Sequence, residues 1–275
     1  MPIIAMTREM GSLGKDVADG VAQALGIPVI YHEIIDVLAD KMRVRKSHVT
    51  QLLDGRAGLF DRLTADTTSL SIFTVAEICQ LAARGRGAVF RGWGAVHVLR
   101  DVPHAVCVRV CAPHEQRVRR MMERLKTDNE EAVVAEIDAS DEAAGAIVRR
   151  NFHTDWRDAF HYDLVLNTER LDTAHCVQEI LKLAESDAFR ETEASRQVLD
   201  DLVLRTAARA ALRAAPATRK LQISVAAERG NVTLEGIVAR DADRSLAEEF
   251  VLRVPGAVAV VNRLRTADGL RARFA

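Results

Sequence analysis

The sequence predicts an α/β protein with a three-layer domain built on a five-stranded parallel sheet, followed by a small α+β domain of order αββαβ. Three observations carry this reading. Apolar β-type runs alternate with helical patterns through the first two thirds of the chain, a glycine-containing loop follows the first run, and a second, separate order of elements occupies residues 196–266. Strands separated by helices imply a parallel sheet covered on both faces.

The β-type runs are Ile3–Met6, Val29–Tyr31, Ala88–Phe90, Ala105–Val110 and Asp163–Asn167. Helical patterns cover roughly 33–41, 70–84, 113–126, 129–151 and 173–185, with Pro113 suited to a first helical turn. Residues 186–195 (SDAFRETEAS) lose hydrophobic periodicity and carry small and charged side chains, the composition of a short exposed linker. The expected division is therefore 1–186, a linker at 187–195, a second domain at 196–268 and a tail at 269–275. Charge divides there too: residues 196–275 hold 14 Lys+Arg and 9 Asp+Glu, a net +5, leaving −6 for residues 1–195.

Composition narrows the class. Of 275 residues, 48% are hydrophobic but only 4% aromatic, which suits an aliphatic α/β core. There is no run of about 18 apolar residues and no leader-like start, so a soluble, cytoplasmic protein is expected. Cys79, Cys107, Cys111 and Cys176 form no CxxC pair and read as reduced core thiols. The histidines, including His153 and His161 beside Trp156, lack zinc-type spacing, so no metal site built by protein ligands alone is expected.

The loop Thr7-Arg8-Glu9-Met10-Gly11-Ser12-Leu13-Gly14-Lys15-Asp16 has the form of a strand, a phosphate loop and a helix. Backbone N–H groups of Gly11, Ser12, Leu13, Gly14, Lys15 and Asp16 would converge on phosphate oxygens, and the Lys15 ammonium would reach a bridging or terminal phosphate. Against G-x-x-x-x-G-K-[ST], Glu9 stands at the first glycine and Asp16 at the hydroxyl that would ligand magnesium. A carboxylate beside phosphates repels them unless a cation intervenes. A helix N-terminus that binds nothing remains the other reading of the motif alone.

With further segments, residues 2–185 resemble the cytidylate kinase-like P-loop proteins, relatives of the nucleoside monophosphate kinases. These segments are Leu25-Gly26-Ile27-Pro28 through Glu33-Ile34-Ile35, Gly92 with Leu99-Arg100-Asp101, Ala112-Pro113 with Arg117 and Met122-Glu123-Arg124, Asp155-Trp156, and Tyr162 through Thr168. The resemblance implies transfer of the ATP γ-phosphoryl group to a nucleoside monophosphate, CMP first, with ATP and Mg2+ as cofactors and a lid carrying arginines. Arg117, Arg120 and Arg124, on one face of a helix, are the candidate catalytic guanidiniums beside Lys15; a solvated basic face is the alternative. The acceptor would lie between the first strand and segment 32–65, with Arg56, Arg62 and Arg91 as candidate ligands and Arg43, Arg45 and Lys46 as further cations. Gly55-Arg56-Ala57-Gly58 reads as a mobile loop or a simple turn.

Two departures bear on catalysis. Gly92-Trp93 stands where the family tends to carry Gly-Arg, with Arg91 one residue earlier, and the lid reads Asp141-Glu142-Ala143-Ala144-Gly145-Ala146 before Arg149 and Arg150. The alternative is therefore a nucleotide-binding sensor or scaffold whose kinase-like fold has lost turnover. A purely structural remnant is the third reading.

The second domain shows a helix at 196–214, strands Leu221–Ala226 and Val232–Val238 around Arg229-Gly230-Asn231, a helix at 241–253 and a strand at 257–264. Val232-Thr233-Leu234-Glu235-Gly236, with Val254-Pro255-Gly256-Ala257-Val258 and Val261-Asn262, resembles the BON domain over 196–266. That resemblance implies an association or regulatory module with protein or anionic membrane-surface partners and no catalytic residues. A basic stripe interleaved with aromatics is lacking, which argues against nucleic acid. An oligomer is open.

Overall fold

The computed structural model describes residues 1–42, 44–53, 66–92 and 94–266. The chain divides into two compact units: Met1–Ala65 with Arg84–Ser195, and Asp66–Ala83 with Arg196–Ala275.

In the first unit β1 (Ile3–Arg8) leads through the glycine loop into α1 (Gly14–Leu25). There follow β2 (Val29–Ile30), α2 (His32–Met42) and α3 (Lys46–Leu53). The intervening α4 (Thr67–Ala82) groups with the second unit. The first unit resumes with β3 (Ala88–Arg91), α5 (Ala95–Leu99), β4 (Ala105–Cys111), α6 (His114–Leu125), α7 (Glu130–Phe152), β5 (Leu164–Asn167) and α8 (Thr173–Ala184). The five strands form one parallel sheet of order β2-β3-β1-β4-β5, as the sequence predicts.

Placing β1 at the centre explains its unbroken apolar run, since Ile3, Ile4, Ala5 and Met6 are all buried. Val17, Ala18 and Val21 of α1 pack with Val106, Val108, Val110 and the Cys176 and Ile180 side chains of α8 in one core. The glycine loop thus leaves the carboxyl end of the central strand, where parallel sheets present their ligands.

The second unit contains α4, α9 (Glu193–Ala214, its first residues preceding the unit), β6 (Ile223–Glu228), β7 (Asn231–Val238), α10 (Asp241–Leu252) and β8 (Ala259–Thr266). The sheet order is β6-β7-β8, with an antiparallel hairpin and then a parallel strand, so the expected αββαβ order is present. The hairpin turn is Arg229-Gly230, both at positive φ (48° and 82°), and Asn231 already pairs with Glu228. Positive φ at both central residues gives the twist a two-residue hairpin requires. Leu204, Ala208 and Leu212 of α9 pack with Val232, Leu234, Val251 and Leu264.

α9 begins three residues before its expected start, because the Thr192 and Ser195 hydroxyls each accept from the other's backbone N–H. α4 is buried on most of its sides, with Leu70, Phe73, Ala76, Ile78, Cys79, Leu81 and Ala82 covered together with the polar Ser69, Thr74 and Glu77. Asp66 caps it through the Ser69 N–H, and Arg213 of α9 donates to both Asp66 (2.8 Å) and the Ser69 hydroxyl (2.7 Å). Burial pushes the Cys79 thiol up to about 11, despite a hydrogen bond with Thr206 of α9.

Candidate functional site

The loop from Glu9 to Asp16 holds its shape by contacts within the protein. The Ser12 hydroxyl donates to the Glu9 carbonyl at 2.8 Å, and the Ser12 N–H donates to the same oxygen at 3.2 Å. Gly11 has φ +78°, and a Cβ there would lie 2.7 Å from the Arg117 carbonyl oxygen. Gly11→Ala is accordingly expected to cost about 1–3 kcal/mol, from left-handed backbone and a clash with main chain, read as a lower urea midpoint.

What the loop leaves open is the start of α1. Leu13 is its N-cap, in the left-handed region, and no side chain caps it. The first-turn N–H groups of a helix have no partner inside the helix, so those of Gly14, Lys15 and Asp16 point outward with the positive end of the dipole. Lys15 and Asp16 are exposed, and Lys15 makes no hydrogen bond or ion pair among the described residues.

Glu9, the apparent violation of the motif, is directed elsewhere. Its carboxylate accepts from Arg109 Nη2 at 2.7 Å and from the Ala112 N–H at 3.3 Å, and lies 3.6 Å from Arg117 Nε. It is buried and neutralised by two guanidiniums rather than set against a phosphate. The first motif position therefore serves as an anchor between the loop, β4 and α6.

Arg117 continues the same chain of charges. Its Nη1 and Nη2 donate to the two carboxylate oxygens of Asp141 at 3.1 and 2.8 Å, and the exposed Arg157 adds a third bond at 3.1 Å. Arg117 and Asp141 are both buried, so α7 is fixed to α6 at Asp141 through a desolvated fork. Arg109 and Arg157 lie over the buried Trp156 ring, each 5.6 Å from its centroid. Gly145 of α7 now has a reason: a Cβ there would lie 3.3 Å from Trp156 Nε1.

Arg120 donates to the Thr168 hydroxyl (3.0 Å) and carbonyl (2.6 Å), and that hydroxyl donates to the Ser12 carbonyl at 2.9 Å. It thereby ties the turn after β5 to the glycine loop. Arg124, two turns from Arg117, is exposed and makes no hydrogen bond or ion pair among the described residues. The three guanidiniums of one helix thus differ: two are engaged by the protein and one is open to solvent.

Among the acceptor candidates, Arg91 ends β3 and is 9% exposed, stacked with its guanidinium carbon 4.5 Å from the Tyr31 ring centroid. Arg56 and Arg62, the Gly55–Gly58 turn, Arg43 and Trp93 lie outside the described residues. Burial raises Cys107 to about 12 and also raises Cys111 and Cys176, so these thiols stay protonated at neutral pH. The same cause, with His161 and Arg100 nearby, lowers His97 to about 4. Among the described residues no group of three His, Cys, Asp or Glu side chains is placed to hold a metal, and no helix is long and apolar enough to cross a membrane.

A central β1 followed by a phosphate-type loop and helix, in a parallel sheet of order 2-3-1-4-5, defines a P-loop kinase fold. The chain belongs to the cytidylate kinase-like family, whose model matches residues 3–170, and it carries a BON domain over residues 200–268. An uncharacterized protein from Eubacterium ventriosum has the same fold, with a TM-score of 0.53 and 21% identity over 68% of this chain and 99% of its own. Shikimate kinase from Bacteroides thetaiotaomicron aligns with a TM-score of 0.42 and 15% identity, over 67% of this chain and 99% of its own. No curated protein matches the sequence.

Proposed function

We propose that the protein is an ATP-dependent phosphotransferase acting on a nucleoside monophosphate, CMP first, with the BON domain as an association or regulatory module. The observation that carries this is the uncapped start of α1 at the end of the central strand, with Lys15 beside it exposed and unengaged. The first-turn N–H groups would hold the β- and γ-phosphates of ATP and Lys15 would bridge their oxygens. Magnesium binds through one or two carboxylates plus phosphate oxygens and water, and the exposed Asp16 carboxylate beside Lys15 fits that habit. When bound, the cation would offset phosphate charge and relieve the repulsion Asp16 would otherwise exert.

The acceptor phosphate oxygen would attack the γ-phosphorus in line while the bond to ADP breaks. Arg124 is the guanidinium free to meet charge on the transferring group. Arg117 and Arg120 act as positioning residues, holding the lid and the β5 turn against the loop. That engagement also favours the second reading, a nucleotide-binding sensor, because it withdraws two of three arginines from the phosphates. A protein that draws on ATP in this way would work in the cytoplasm.

The test is ADP release across the common nucleoside monophosphates with wild type and Lys15→Ala, paired with a thermal shift in ATP and magnesium. Acceptor-dependent turnover that the variant loses supports the enzyme. At 100 times the dissociation constant ATP should stabilise the wild type by about 2.7 kcal/mol. A Lys15-dependent shift without turnover identifies the sensor, and neither signal refutes both.

A further inference from the structure

His97 is a titratable ring placed where a charge has nothing to meet. It lies on α5 between two other rings. Phe152, the last residue of α7, stacks on it with centroids 5.1 Å apart and planes at 29°, and His161 meets it edge-on at 5.0 Å and 75°. The His97 Nε2 atom is shielded from solvent and has no hydrogen-bond partner. The same seam is closed just before α5, where a Cβ on Gly94 would lie 2.7 Å from Phe152 Cε2. The last turn of α7, which carries Arg149 and Arg150, is therefore held on α5 by ring packing around one imidazole.

His161 belongs to the short 3-10 turn Ala159–His161 that precedes β5. A guanidinium can only donate, so the bond from Arg100 Nη1 to His161 Nδ1 leaves that nitrogen without a proton. The ring N–H is then at Nε2, where it donates to the Thr154 hydroxyl at 2.6 Å. Among the described residues, the charged groups in contact with the two histidines are Arg100 and Asp158, whose carboxylate stands 4.0 Å from His161 Nε2. α7 meets His97 with the uncharged Phe152 ring. A second proton on His97 would thus set a cation near the Arg100 guanidinium, with neither a carboxylate nor water at Nε2 to offset it.

We infer that His97 is the pin of a proton-operated latch: uncharged, it docks the end of α7 on α5, and on taking up a proton in mildly acid solution it frees that turn with Arg149 and Arg150. The Arg117–Asp141 fork keeps the earlier part of the helix in place, so the opening is local. Burial, with His161 and Arg100 nearby, holds the docked ring at about 4 against an ordinary 6.5. The undocked ring binds its proton more readily, so docking is at full strength above pH 6.5 and is lost as pH falls from 6.5 towards 4. The latch uses no nucleotide and stands apart from the phosphotransferase reading.

The experiment is hydrogen exchange of the full chain, followed by mass spectrometry between about pH 7.5 and about pH 5 and corrected for the intrinsic rate, for wild type, His97→Phe and His97→Leu. In wild type, peptides from 148–162 should lose protection by about tenfold or more across this range, while those from α1 keep theirs. Phe preserves the ring stack and Leu the apolar contact, and neither takes up a proton, so in both variants the change should stay within about twofold. The histidine proton resonances of wild type give a reading that needs no stable variant: the one assigned to His97 should titrate at about pH 5 or below. A His97 resonance that titrates near the ordinary imidazole value overturns the latch. So does protection of 148–162 that is independent of pH in wild type, or a loss of equal size in both variants. A loss shared by α1 overturns it too, since that marks acid unfolding of the whole unit.

Discussion

Asp141→Ala is expected to destabilise the first unit by about 3–5 kcal/mol, because it leaves the Arg117 guanidinium buried without its fork of oxygens. With a shift of about 2–4 °C per kcal/mol for a unit of this size, the melting temperature should fall by roughly 10 °C. The loss comes from a buried guanidinium left with only the Glu9 carboxylate, 3.6 Å from its Nε, rather than from the bond as such, and a double variant separates the two. Asp141→Leu with Arg117→Met should recover most of the stability, since apolar side chains of similar volume often replace a buried pair without penalty. Equal losses in the single and double variants, followed by differential scanning calorimetry, would contradict this account. The exposed Arg157 is a minor partner, and Arg157→Ala should change little.

A chain ending at Ser195 is expected to fail as a stable protein. The break removes α9 and with it the Arg213 bonds to Asp66 and Ser69, and α4, whose Leu70, Phe73, Ile78 and Leu81 are buried in the full chain, is left without the unit it groups with. Fully burying one such side chain is worth about 1.5–3 kcal/mol, so stranding a few of them rivals the whole stability of a domain, about 5–15 kcal/mol. The expected result for residues 1–195 is aggregation on expression, or binding of a hydrophobic dye with a melting temperature at least 10 °C below the full chain. An unchanged melting curve would show that α4 does not depend on the second unit.

The order of elements was legible in the sequence because periodicity is a local property. The five strands, the loop after β1 and the αββαβ order all follow from patterns a few residues long. The loop's glycines could also be found, although Gly11 is required partly by the approach of Arg117, which no local pattern displays. The charge network could not be read. Glu9 meets Arg109 and Arg117, and Arg117 meets Asp141, through pairings set by how β4, α6 and α7 stack. Sequence alone therefore makes Glu9 a defect of the motif and leaves Arg117 open between a phosphate ligand and a solvated basic face, where the structure gives each the other as a neighbour. The allegiance of α4 was hidden for a related reason. An apolar helix announces that it is buried and says nothing of which elements bury it.

That allegiance also bears on how the chain is made. α4 leaves the ribosome about 110 residues ahead of α9, and at about 5–20 residues per second this is an interval of roughly 5–20 s. During that interval the segment 84–195 is synthesised and can pair its strands with β1, while one of the most apolar helices in the chain still lacks its partner. Nascent-chain folding of this protein therefore has a built-in waiting period, and chaperone demand should be concentrated on residues 67–82 until α9 arrives.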